Sequence, residues 1–119
     1  MRIFATLAGA LALSLTLGSQ PVRAQDFLSA YEDLPLPAGL RETAGAGLSF
    51  DIPGGRIVEA YAQGRLSAAD VTAFYAATLP QLGWTRTGAA SYRRDAETLT
   101  LETRAQAGLV TVHFTIAPD

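Results

Sequence analysis

The chain has no cysteine and no lysine, and only one histidine, one methionine and one tryptophan among its 119 residues. Without cysteine there is no disulfide framework, no thiolate nucleophile and no thiolate metal ligand. A single histidine, His113, with one neighbouring carboxylate falls short of the three or four ligands a zinc site needs. It also leaves one candidate base for any serine-centred hydrolysis. The nine basic residues are all arginine and are set against eleven acids, for a net charge of −2. A mildly acidic chain with no basic run is a poor match for nucleic acid or anionic lipid. No cofactor is implied.

Long hydrophobic runs are equally scarce, and the clearest lies at the N-terminus. Arg2 precedes an apolar run from Phe4 to Leu17, followed by Gly18-Ser19-Gln20-Pro21 and Val22-Arg23-Ala24. A positive start, a short apolar middle and a small-residue exit mark a secretory signal peptide. The run is shorter than the ~20 residues of a membrane-spanning helix, and Pro21 breaks any helix just beyond it. Cleavage after Ala24 is expected, removing residues 1–24 and placing a chain that starts at Gln25 in the periplasm or outside the cell. Losing Arg2 and Arg23 takes the net charge from −2 to −4. No stable membrane span would remain.

Residues 25–46 read as a strap or linker ahead of one domain covering 47–119. Asp26 is placed to cap a short helix with Phe27, Tyr31 and Leu34 along one side. Leu34-Pro35-Leu36-Pro37 then forces extended backbone, and Thr43-Ala44-Gly45-Ala46-Gly47 is a flexible joint. Leu48-Ser49-Phe50-Asp51-Ile52 alternates as a strand. Pro53-Gly54-Gly55 carries turn chemistry, and Arg56–Gln63 is a second strand. One face of that strand is small (Val58, Ala60, Ala62) and suited to seating a helix closely. The other carries Ile57, Glu59, Tyr61 and Gln63.

A helix follows. Ser67 and Asp70 have the spacing of a capping box. Val71, Phe74, Tyr75, Thr78, Leu79 and Leu82 form one helical stripe. Pro80 predicts a bend, and Gly83 with Trp84 predicts a left-handed ending with a contact between Trp84 and Leu79. Trp84–Arg94 is an irregular strand that bulges or breaks at Thr87–Ser91, and Asp95-Ala96 is a tight turn. Thr98–Arg104 and Val110–Ile116 alternate cleanly. An even loop between them would put Leu99 and Leu101 on the face of Val112, Phe114 and Ile116, and would set Glu102 opposite His113. The expected fold is α+β and two-layered: one main helix on one face of a mainly antiparallel sheet, in the order β-β-α-β-β-β behind a signal peptide. The last strand, near Ile116, is expected at a sheet edge.

The run Val71-x-x-Phe74-Tyr75-x-x-x-Leu79-Pro80-x-Leu82-Gly83-Trp84, preceded by Gly55-Arg56-Ile57-Val58-Glu59-Ala60, resembles a pattern in small uncharacterised secreted bacterial proteins and lipoproteins. The likeness covers roughly Leu48 to Ile116. It implies export and a strand, a helix ending in Gly-Trp and an antiparallel meander, and carries no activity with it.

Candidate sites are few. Phe74, Tyr75 and Trp84 sit where the helix needs apolar bulk, so a core role outweighs a ligand cradle. His113 facing Glu102 reads as a solvated pair. Ser67 is accounted for as a cap, and neither Ser49 nor Ser91 sits in a Gly-x-Ser-x-Gly elbow. Nothing gathers Asp51, Glu59, Asp70, Glu97 or Glu102 into one pocket. Arg93-Arg94 reads as a solvated hairpin end, and Thr98, Thr100, Thr111 and Thr115 as exposed strand residues. The expectation is therefore a non-enzymatic module that binds another envelope protein through the open edge or the threonine face. The alternative is a small-molecule binder with a pocket between helix and sheet near Tyr61, Tyr75 and Trp84. The candidate surface residues are Tyr61, Tyr75, Trp84, Glu102 and His113.

Overall fold

The computed structural model describes residues 26–119, and the expected signal peptide and its cleavage point lie outside them. One helix packs on one face of a seven-stranded, mostly antiparallel sheet. The strands are β1 (Leu40–Glu42), β2 (Leu48–Ile52), β3 (Gly55–Gly64), β4 (Thr85–Gly88), β5 (Ser91–Arg94), β6 (Glu97–Gln106) and β7 (Leu109–Pro118). Helix α1 spans Ala68–Thr78 and runs into a 3-10 turn at Leu79–Leu82. Across the sheet the order is β1-β3-β7-β6-β5-β4, and β2 pairs with β3 beyond the end of β1. Among the described residues no helix is long and apolar enough to cross a membrane.

The turns explain the register. Pro53 presets the first hairpin, and Gly54 takes the left-handed second position at φ 92°. The β6–β7 hairpin closes on the two residues Ala107-Gly108, so the loop is even. It sets Leu99 opposite Ile116, Leu101 opposite Phe114 and Glu102 opposite His113. Ala107 sits at φ 52°, a left-handed conformation that resists a Cβ. Ala107→Asn supplies the residue this turn type prefers and is expected to stabilise the protein by about 0.5–1 kcal/mol. Chemical denaturation would register this as a higher midpoint at an unchanged slope.

The helix begins on one half of the expected capping box. The Ser67 hydroxyl accepts the Asp70 amide at 3.0 Å, and the Val71 amide donates to the Ser67 carbonyl. Pro80 has no N–H for the Ala76 carbonyl, so the α-helix ends two residues earlier and tightens into the 3-10 turn. Gly83 then takes φ 91°, the Trp84 amide bonds the Leu79 carbonyl at 3.0 Å, and the Gly83 amide bonds Pro80. This is a Schellman ending, and its hydrophobic partners Leu79 and Trp84 are both buried. Leu82, expected on the buried stripe, is exposed, because the tighter turn rotates it off that face.

The core lies between α1 and the sheet face carrying Val58, Ala60, Ala62, Tyr92, Leu99, Leu101, Val110, Val112, Phe114 and Ile116. Tyr75 meets Phe114 edge to face at 5.8 Å and donates its hydroxyl to the Pro35 carbonyl at 2.9 Å. The helix covers only part of this face, and residues 28–40 cover the rest with Leu28, Tyr31, Leu34, Leu36 and Leu40.

Three expectations are corrected. No helix follows Asp26: Phe27 bridges Pro35 and the chain between them turns back on itself, which leaves Phe27 exposed and Tyr31 and Leu34 buried. The irregular strand breaks into β4 and β5 at Ala89-Ala90, and β1 is an additional short strand, so seven strands replace five. The last strand is not an edge. β7 is paired along both sides, with β6 and with β3, so its outer row of backbone groups is satisfied by a strand far away in sequence.

Burial holds the Tyr75 hydroxyl far above the ordinary tyrosine value near 10. In the unfolded chain the group ionises near pH 10, whereas in the fold it stays neutral. Its stabilising contribution is therefore complete below pH 10 and is lost as the pH rises further, by about 1.4 kcal/mol per pH unit. Tyr75→Phe strands the Pro35 carbonyl and is expected to cost about 1–2 kcal/mol at pH 7. The gap between wild type and variant should narrow above pH 10 in urea unfolding; a constant gap would contradict the burial of a neutral hydroxyl.

Candidate functional site: the open sheet face

Alternation along β3, β7 and β6 sends every second side chain away from the helix. The residues on that uncovered face are Ile57, Glu59, Tyr61 and Gln63 from β3, Thr111, His113 and Thr115 from β7, and Thr98, Thr100, Glu102 and Arg104 from β6. Pairing aligns them in cross-strand rows. Tyr61, His113 and Glu102 form one row, Glu59, Thr115 and Thr100 a second, and Gln63, Thr111 and Arg104 a third. Gln63 Nε2 donates to Thr111 Oγ1 at 3.2 Å.

His113 is the centre of this face. Its ring stacks on Tyr61, with centroids 4.4 Å apart and planes 2° from parallel. Nε2 lies 3.5 Å from Glu59 Oε1 and Nδ1 lies 3.5 Å from Glu102 Oε2. Nε2 is buried and makes no hydrogen bond among the described residues, so its approach to Glu59 is an electrostatic contact at most. Pairs this exposed contribute at most about 1 kcal/mol each. The two carboxylates address opposite ring nitrogens and do not converge on one point. No group of three His, Cys, Asp or Glu among the described residues could hold a metal ion.

The same face carries an apolar margin. Leu48 pairs with Glu59 and Phe50 with Ile57, so both point to the uncovered side, where they are 46% and 48% exposed. The alternation of Leu48-Ser49-Phe50-Asp51-Ile52 already showed that Leu48 and Phe50 share a face; nothing local showed that this face stays bare.

The sequence-derived candidates divide between the two sides of the sheet. Tyr61, Glu102 and His113 come together on the open face. Tyr75 and Trp84 lie on the other side, 0% and 2% exposed. Tyr61 therefore cannot line one pocket with Tyr75 and Trp84. Arg93 and Arg94 divide as well. Arg93 is exposed and pairs with Asp119, whereas Arg94 turns inward. Arg94 lies 4.5 Å over the Trp84 ring and donates to the Leu82 carbonyl at 2.9 Å, the Tyr31 hydroxyl at 3.0 Å and Asp33 at 2.6 Å. Its donors serve the fold.

A shallow polar cleft of about 500 Å³ opens beside Tyr31, Asp33, Arg56, Arg94 and Glu97. Burial raises the Tyr31 hydroxyl pKa, the Arg94 hydrogen bond opposes that rise, and Glu97 adds to it. Both Tyr31 contacts are internal, since its hydroxyl also donates to Glu97 at 3.0 Å. No protein-family model, curated protein or solved structure matches this chain.

Proposed function

We propose that the protein is a non-enzymatic interaction module of the cell envelope that receives a partner protein on its open sheet face. The observation that carries this is the half-exposed pair Leu48 and Phe50 beside the stacked Tyr61–His113 plate, on a sheet whose opposite face is closed by α1 and residues 28–40. Apolar and aromatic side chains grouped on an uncovered face, with polar threonines around them, have the make-up of a docking surface. Glu59 and Glu102 add negative charge on either side of the plate, so a partner with an apolar centre and a basic rim fits best. The signal-like N-terminus and the resemblance to secreted proteins support an envelope location.

Tyr61→Ala and Phe50→Asp test this reading. In pull-downs from envelope extracts, a partner held by the wild type should be lost at least about tenfold by either variant. It should be retained by Arg86→Ala at the far edge of the sheet. Equal recovery by all four proteins would refute the assignment of this face. The N-terminal residue of the envelope-extracted protein tests export, with Gln25 the expected start.

A further inference from the structure

We infer that the protein self-associates through β2, whose free edge pairs antiparallel with β2 of a second copy to make one continuous sheet. This contact lies at the sheet edge and shares Leu48 and Phe50 with the proposed docking face, whereas Tyr61 belongs to the docking face alone.

The two edges of the sheet are built differently. At one end, β4 is interrupted by a register shift between Arg86 and Gly88, and the Arg86 side chain folds over the turn to bond the Gly88 and Ala89 carbonyls. A short, bulged edge crossed by an arginine is poorly suited to accept another strand. At the other end, β2 is regular over all five residues, with no proline, lysine or bulge. Among the described residues it pairs only with β3, and no backbone hydrogen bond reaches its outer side. Leu48 and Phe50 are half exposed on it.

The sequence of β2 selects a copy of itself. Ile52 and Gly55 close a two-residue hairpin and form a hydrogen-bonded pair, so Ser49 and Asp51 are the residues that direct N–H and C=O outward. An antiparallel two-fold must therefore match these two positions. Centring the axis on Asp51 would set two carboxylates face to face. Centring it on Ser49 would leave Ile52 without a counterpart. Centring it on Phe50 pairs all five residues, and sets Ser49 opposite Asp51 of the partner subunit. The Ser49 hydroxyl then has a carboxylate to donate to, and each outward pair exchanges two backbone hydrogen bonds. On the open face, Phe50 meets its own copy in the close, non-hydrogen-bonded position, with Leu48 opposite Ile52 of the partner subunit. Hydrogen-bond donor, acceptor and apolar residues all find complements in one register.

A single short strand pair buries less than the ~1,200 Å² of a standard interface, so the dimer is a weak one. Sedimentation equilibrium of the full chain should show the average mass climbing toward twice the monomer value between about 10 µM and about 1 mM. Ser49→Pro removes an outward N–H without touching the β2–β3 ladder and should shift that rise at least about tenfold in concentration. Ser49→Asp should weaken association, and Ser49→Lys should strengthen it by facing Asp51 of the partner subunit. A second readout does not depend on how well Ser49→Pro folds. The chain has no cysteine, so Phe50→Cys should form a disulfide-linked dimer on mild oxidation, while Leu48→Cys and Thr85→Cys should not. A mass that stays monomeric to about 1 mM overturns the proposal. So does a dimer indifferent to Ser49→Pro, or cross-linking at Leu48→Cys as fast as at Phe50→Cys. A monomeric protein that still loses its envelope partner through Tyr61→Ala would leave the proposed docking face standing.

Discussion

Truncating Trp84 to alanine is expected to lower stability by about 3–5 kcal/mol, the range for deleting a fully buried large aromatic. That is a large share of the 5–15 kcal/mol typical of a whole domain. Trp84 is 2% exposed, closes the helix ending against Leu79, packs 6.3 Å from Tyr31 and carries the Arg94 guanidinium on its ring. Removing it leaves a cavity where the helix ending, β5 and the 28–40 segment meet. The loss also releases Arg94, whose bond to the Leu82 carbonyl holds the end of the 3-10 turn. Trp84→Phe should be much milder. The indole Nε1–H is buried without a partner among the described residues, so the phenyl ring sheds volume and an unsatisfied donor together. Urea unfolding followed by far-ultraviolet circular dichroism measures both variants without relying on the lost fluorophore. A Trp84→Ala cost under about 1 kcal/mol would mean that the indole is not a core residue.

Gly64→Ala is the second large effect. Gly64 pairs with Leu40 on one side and Val110 on the other, and a Cβ placed on it would overlap the Gly39 carbonyl oxygen and press the Leu40 Cα at 3.1 Å. The obstacle is backbone, which cannot rotate aside as a side chain can. The expected cost is about 2–3 kcal/mol, or a melting temperature lower by roughly 10–20 °C for a domain of this size. Because the strain falls on β1, amide exchange should accelerate first at Leu40–Glu42 and in the 28–37 segment, ahead of β6 and β7. A melting temperature within 2 °C of wild type, about the noise of the measurement, would show that β1 does not approach Gly64 this closely.

How much of the molecule was legible follows from the range of each interaction. The Ser67 cap, the Gly83 ending and its Leu79–Trp84 contact were legible because each involves residues within a few positions of one another, whereas Pro80, which predicts a bend, instead ends the α-helix and tightens it into a 3-10 turn. The parity of the β6–β7 loop was legible too, because one apolar face admits only one register. The position of β7 was not. A hairpin pattern specifies one neighbour, and the second neighbour, β3, is supplied by a pairing roughly fifty residues away. The 28–40 segment was hard to place for a related reason. Its prolines announce extended chain, but only the incomplete coverage of the sheet by α1 explains why Leu28, Tyr31, Leu34, Leu36 and Leu40 are buried.

The candidate site shows the same division. That Val58, Ala60 and Ala62 face the helix was readable from the period-two pattern, and so was its consequence that Tyr61 faces away. Tyr61 and the pair Tyr75 and Trp84 therefore lie on opposite sides of the sheet. His113 opposite Glu102 followed from register, whereas the Tyr61 stack and the approach of Glu59 needed β3 to be placed beside β7.

Taken alone, the sequence determined the start of the helix, its Gly83-Trp84 ending, the turns at Pro53-Gly54, Asp95-Ala96 and Ala107-Gly108, the alternation of β2, β3, β6 and β7 and the absence of thiol and multi-histidine chemistry, since all of these depend on composition or on neighbours along the chain. Tertiary structure decided which edge of the sheet is left bare, which face is covered and by what, and hence which residues can meet a partner. Those outcomes rest on pairings between distant segments, where satisfying backbone hydrogen bonds and burying apolar area must be settled for the whole sheet at once.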